Sequence, residues 1–160
     1  MKTQNKTKRS GMTIMELMVA QTIFLLGVTG AIYAFMYANR TYHYAQADLQ
    51  ATLRAGSAIE TMIYGSDSGM GLREATADDT QAWDEGGWWV VIFNTNYWFY
   101  YTEESKQIRD NNWTLICDNV VTSIISQQDG KGINIDISVS ETAGGYNFVK
   151  RMETFVQYRN

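Results

Sequence analysis

No proline occurs in this chain of 160 residues, and it has one cysteine, Cys117, and one histidine, His43. Each scarcity removes a class of protein. A single thiol permits no internal disulfide, and one Cys with one His cannot build a zinc finger or a multi-histidine centre. No catalytic triad, phosphate-binding glycine loop or metal-ligand spacing is present, so the sequence predicts no catalytic residue, no cofactor and no metal. Basic residues are outnumbered, 13 Lys and Arg against 17 Asp and Glu, for a formal charge of -4. That balance argues against nucleic acid as a partner recruited by bulk charge. Without proline, nothing in the chain obliges a long helix to kink. Aromatics are not scarce: ten Tyr and five Trp contribute to a 13% aromatic content, which a disordered chain would lack. The length suits one modest packed domain.

The charge is divided along the chain. Lys2, Lys6, Lys8 and Arg9 precede Gly11 with no acid among them, whereas the residues after Gly11 hold nine basic and seventeen acidic side chains, a balance of -8. Residues 1–11 therefore read as a basic leader separable from the domain. From Leu17 to Tyr37 the chain carries no charge, and the apolar run is interrupted only by Gln21, Thr22, Thr29 and two glycines. As a helix these residues are about 31 Å long, matching the roughly 30 Å hydrocarbon thickness of a bilayer. A secretory signal peptide has a shorter core, about 7–15 residues, with a small-residue cut site close behind it. Here Ala45-Gln46-Ala47 lies beyond Arg40 and His43. A helix buried in a soluble core would leave the basic cluster unexplained, whereas a span accounts for it as the cytoplasmic flank.

Glu16 is the exception in this apolar setting. A carboxylate drawn towards mid-membrane costs about 2.5–3.5 kcal/mol, so it either reaches the headgroups or finds a cation. The span holds no Lys or Arg. Cleavage after Gly11 would create an amine on Met12, about one helical turn from Glu16, and a neighbouring copy could offer the same group. At an effective dielectric of about 20, charges about 4 Å apart attract by roughly 4 kcal/mol before desolvation is counted.

The segment Lys8-Arg9-Ser10-Gly11-Met12-Thr13-Ile14-Met15-Glu16-Leu17-Met18-Val19-Ala20 resembles the class III leader and cleavage site of type IV prepilins and type II secretion pseudopilins. The resemblance implies that a prepilin peptidase cuts between Gly11 and Met12 and methylates the new Met12 amine. It also implies that Glu16 meets the N-terminus of an adjacent subunit during filament assembly. Met12 stands where the family usually has Phe, and Met15 where Ile is common; both remain large and apolar.

Beyond the span, Tyr42, Ala45, Leu49, Leu53, Gly56, Ile59 and Ile63 recur at steps of three and four, which predicts one apolar helical face. Arg40, Asp48, Arg54 and Glu60 fall opposite and read as solvated. One helix is expected from near Met12 to Tyr64, about 80 Å, stopping at Gly65. Residues 65–87, rich in Gly and acids, read as a loop without the ordered carboxylates of an EF-hand. Trp88–Phe93 and Tyr97–Thr102 are expected to form a hairpin around Asn94-Thr95-Asn96, with Lys106–Arg109 as a third strand. Residues 113–127 fit either a strand or a short helix. Ile133, Ile135, Ile137 and Val139, and then Tyr146, Phe148, Met152, Val156 and Tyr158, predict two strands joined at Gly144-Gly145.

The expected fold class is α+β, a long N-terminal helix whose second half packs on an antiparallel sheet, pilin-like in outline. The expected organisation is a leader at 1–11, a transmembrane and filament-core helix at 12–38, its amphipathic half at 39–64, and a β-sheet domain at 65–160. Tyr100-Tyr101 ahead of Ile108-Arg109, Leu115-Ile116-Cys117-Asp118-Asn119-Val120, and the closing Phe155-Val156-Gln157-Tyr158-Arg159-Asn160 are similar to W-type minor pilins and J-type pseudopilins. This resemblance implies a minor filament subunit with its C-terminal domain outside the inner membrane. The implied partners are the prepilin peptidase, other pilins or pseudopilins, and the membrane itself. Two other functions stay open: a carbohydrate-binding tip adhesin using Trp83, Trp88, Trp89, Trp98 and Trp113, and a single-pass anchored protein that forms no filament. Adjacent Trp88 and Trp89 must point to opposite faces of a strand. Cys117 reads as a small buried residue, and His43, beside Tyr42 and Tyr44, as interfacial.

Overall fold

The computed structural model describes residues 12–65, 69–94, 97–128 and 130–159. The basic leader with Gly11, the Thr95-Asn96 pair and Asn160 lie outside the described residues. A proline-free run becomes one helix, α1, Ile14–Tyr64, of 51 residues. Gly65 ends it at φ 89°, donating its N–H to the Thr61 carbonyl at 2.8 Å. The following chain passes so near the last turn that a Cβ on Gly71 would fall 2.2 Å from the Ile63 carbonyl oxygen. Only glycine permits that approach.

The chain divides into two compact units after Thr41. In the first, every described residue from Met12 to Thr41 is exposed. This part of α1 supplies a helix near the N-terminus long and apolar enough to cross a membrane.

The second unit is α+β. Strands β1 Gln81–Glu85, β2 Trp88–Phe93, β3 Tyr97–Thr102, β4 Gln107–Asp110 and β5 Leu115–Cys117 form one sheet in chain order. Strands β6 Val120–Gln128, β7 Gly132–Ala143 and β8 Tyr146–Gln157 form another, and all the pairings are antiparallel. The single expected sheet is thus two. Side chains bridge them where a ladder would have run: the Gln127 amide accepts from Ala82 N–H at 3.2 Å and donates to the Thr80 carbonyl at 3.1 Å. Asp84 accepts from Ile125 N–H at 3.4 Å.

One further expectation changes and one open alternative closes. Residues 65–87 are not all loop: a short 3-10 helix, Leu72–Glu74, and β1 lie within them. Strand β1 is largely exposed and so lacks alternation, and it is held by its pairing to β2 across Gly86-Gly87, both at positive φ. Residues 113–127 form β5 and most of β6. A register shift between Val120 and Thr122 puts the buried positions at Val120, Ser123 and Ile125, which breaks the period of two.

The largest correction concerns the domain half of α1. Its buried residues are Ala47, Ala51, Ala55, Ala58, Ile59 and Met62, whereas Tyr42, Leu49 and Leu53 are exposed. Of the seven residues expected to face the sheet, only Ile59 is buried. A stripe of alanines lets the helix backbone come close to the sheets, where larger side chains on the strands fill the core. Trp89, Phe93, Ile108, Ile133, Ile135 and Ile137 are among these fully covered residues, each contributing about 1.5–3 kcal/mol by leaving water. The four helix charges expected to be solvated are all exposed, and two of them also pair. Arg54 Nη1 lies 2.8 Å from Asp118 and its Nε 2.7 Å from the buried Glu141, while Asp48 meets Lys150 at 3.3 Å.

Candidate functional site

Of the residues singled out for processing and assembly, Gly11 lies outside the described residues, while Met12 and Glu16 are both exposed at the start of α1. Thr13 and Glu16 form a capping box. Thr13 N–H donates to Glu16 Oε2 at 2.8 Å, Thr13 Oγ1 donates to the same oxygen at 3.0 Å, and Glu16 N–H donates back to Thr13 Oγ1 at 3.3 Å. This role of Thr13 was legible as Thr-x-x-Glu before an apolar run, and reading Glu16 only as an acid in search of a cation overlooks it. The two functions are compatible. The box uses the Thr13 amide, which remains a peptide N–H after any cut between Gly11 and Met12. None of these bonds engages Oε1. Met12, Met15, Glu16, Val19, Ala20 and Ile23 line a shallow concavity in which, among the described residues, the carboxylate is the one charged group.

Within the domain unit, the exposed apolar residues of α1 form a second feature. Leu49 and Leu53 are 58% and 62% exposed and lie one turn apart, with Tyr42 on the same side of the helix. Leu53 and Arg54 border a groove whose other wall is Leu115 to Asp118. Cys117 lies beneath it, buried. Burial, reinforced by the nearby Asp118 and Glu141 carboxylates against the opposing pull of Arg54, pushes its thiol from near 9 up to about 11. A thiol in that condition is a packing group and a poor nucleophile.

The five tryptophans separate by face. Trp89 is fully buried, its indole N–H donating to Ser123 Oγ at 3.0 Å, while Trp88 beside it is 43% exposed. Their expected opposition is observed. Trp98, Tyr100 and Trp113 form one ring cluster, with Trp113 5.3 Å from Tyr100 and 6.3 Å from Trp98 between centroids. Trp113 is 65% exposed and its backbone is left-handed at φ 64°. The turn that presents it is braced by Asp110, a buried carboxylate that accepts the N–H groups of Asn112 and Thr114 at 2.9 and 2.8 Å. Arg109 adds a donation to the Trp113 carbonyl at 2.8 Å. Sequence reading missed Asp110, although Asp-Asn-Asn is a turn signal. His43 packs on the β7–β8 turn: a Cβ on Gly144 would lie 2.7 Å from its ring. Tyr44 packs on Tyr146 and Phe148.

Comparison with protein-family models, with curated proteins and with solved structures finds no match to this chain.

Proposed function

We propose that this chain is a minor structural subunit of a type IV pilus or type II secretion pseudopilus, held in the inner membrane by the first half of α1 and assembled through it. The observation that carries this reading is the division of one uninterrupted helix. Residues 12–41 are exposed throughout and carry no charge from Leu17 to Asn39, so they need lipid, detergent or other stems around them, while residues 47–62 bury an alanine face in an α+β domain. The leader-like residues before Met12 and the position of Glu16 agree with it. The prepilin peptidase would release residues 1–11, and the methylated Met12 of a neighbouring copy would approach the Glu16 oxygen that the capping box leaves unused. Leu49 and Leu53 add an exposed apolar stripe within the domain unit, which a neighbouring subunit can cover.

The test is the intact mass of protein extracted from its native membrane. The expected species begins at Met12 and carries one added methyl group. Intact residues 1–160 would overturn the reading. Replacing Glu16 by Ala is expected to leave membrane insertion unchanged and to reduce incorporation into filaments at least about tenfold, since a pair contributing 1.4 kcal/mol changes an equilibrium tenfold. Normal incorporation would remove Glu16 from the assembly step.

A further inference from the structure

We infer that the outward face of the five-stranded sheet is a binding platform for a neutral polysaccharide, with Trp113 as its principal stacking ring. This does not rest on the filament reading, because it concerns only residues 81–115. In the strand register, Trp83 lies opposite Val90, Val90 opposite Tyr100, and Tyr100 opposite Arg109, so these residues share one face. Trp88 and Trp98 occupy the same face, two residues to either side of that row on their strands. The opposite face of these strands is the one that buries Trp89, Val91, Phe99 and Ile108. Five aromatic rings, counting Trp113 above Trp98 and Tyr100, are therefore gathered on the side of the sheet away from the core.

The occupant follows from what shares the face with the rings. A face made for lipid would be apolar throughout. Here Val90 and Ile92 lie among the rings while Gln81, Thr102 and Gln107 flank them on the same face, and the amide and hydroxyl groups match the hydroxyls of a sugar, whose C–H faces stack on indole and phenol rings. Charge selects among polymers. By register the face of β1 to β4 carries two charged residues of opposite sign, Glu85 and Arg109, on a chain whose balance after Gly11 is -8. A net-neutral patch on an acidic protein disfavours nucleic acid and acidic polysaccharides and complements an uncharged one. Arg109 is itself oriented, donating through Nε and Nη2 to Gln107 Oε1 at 3.1 and 2.7 Å. Its hydrogen-bonding edge is fixed before any ligand arrives.

The second argument is conformational. A tryptophan at φ 64° occupies a region that asparagine and glycine enter more readily, and Asp110 and Arg109 hold it there. The geometry sets the ring in T-shaped contact with Trp98 and Tyr100 with most of its surface in solvent, where rigid indole offers contact area at low entropic cost.

The experiment is a fluorescence and calorimetric titration of the full chain, in a detergent without a sugar headgroup. The probes are the hexasaccharides of β-1,4-linked glucose and β-1,4-linked N-acetylglucosamine, with polygalacturonate as the anionic control. Binding of at least one neutral probe is expected, with no binding of polygalacturonate. Trp113→Asn should weaken binding at least about tenfold, as loss of a stacked ring does, while raising Tm by roughly 2–4 °C because asparagine suits the left-handed backbone. Trp113→Phe should stay within about threefold of the parent because a ring remains. Failure of both neutral probes to bind the parent chain would overturn the inference. So would unchanged affinity in a folded Trp113→Asn, binding of polygalacturonate as tight as that of the neutral probes, or a change in oligomeric state on that substitution without any sugar response.

Discussion

Arg54 reaches two acids at once, and one of them is buried. Its Nε–Glu141 contact at 2.7 Å supplies the countercharge for a carboxylate that the β7 strand carries into the protein, while Nη1 holds Asp118 at the turn before β6. Arg54→Met keeps the length of the side chain and removes the charge, so Glu141 is left without this partner at low dielectric. The expected cost is about 2 kcal/mol at neutral pH, below the figure for a wholly buried pair because the arginine is itself partly exposed. Urea unfolding measures it, and the double variant Arg54→Met, Glu141→Gln should recover part of the loss. The Cys117 thiol gives a second prediction at this scale. Its folded pKa of about 11 exceeds the ordinary value near 9. Below pH 9 it is neutral in both states and has no effect on the balance. As pH rises from 9 to 11 the unfolded chain ionises first, so stability falls, by an amount on the order of 2–3 kcal/mol. Cys117→Ala should lack that component of the alkaline decline, measured as the difference in unfolding free energy between pH 8.5 and 11.

Among the elements, α1 shows where sequence periodicity succeeds and where it misleads. Its two ends are written in residues with local physical meaning: Thr13 and Glu16 cap the start, and Gly65 adopts the φ of 89° that closes the end. Which face it buries is not local. Leu49 and Leu53 form the more hydrophobic stripe, yet the sheets take the alanine stripe, because close approach to Trp89, Phe93 and the β7 isoleucines rewards small helix residues. Strands β2 and β3 were legible as β-branched and aromatic runs, and β7 and β8 from alternation and from the Gly144-Gly145 turn. Strand β1 was hidden by its exposure and β6 by its register shift. The candidate site divides similarly: Met12 and Glu16 stand out as residues, whereas the ring cluster needs the turn at Asp110 to bring Trp113 onto β3. Two substitutions test the helix assignment by thermal or urea unfolding. Ala55→Leu places extra volume at a fully buried contact and should cost about 1–3 kcal/mol. Leu49→Ser and Leu53→Ser, on the exposed stripe, should each change stability by no more than about 0.5 kcal/mol. A larger loss from the leucine changes than from Ala55→Leu would mean that the faces have been assigned the wrong way round.

For the molecule as a whole, the decisive quantity is the free energy of residues 12–41 in a bilayer compared with water. Those residues are exposed and uncharged from Leu17 onward as far as Arg40, so water is a poor solvent for them. If lipid is their resting environment, charges placed at the middle of the stem should be more damaging than any change at its ends. Leu25→Arg with Val28→Arg puts two guanidinium groups near the centre, at about 2.5–3.5 kcal/mol each, enough together to reverse insertion of a segment of this length. The expected result is loss of the double variant from the alkali-resistant membrane fraction, with the domain still showing the unfolding transition of the parent. Glu16→Ala, at the edge of the span, should remain in that fraction, because removing a carboxylate only makes the segment more apolar. Retention of the double-arginine variant in the membrane would mean that something other than this helix holds the protein there, and the proposed route from membrane store to filament would lose its first step.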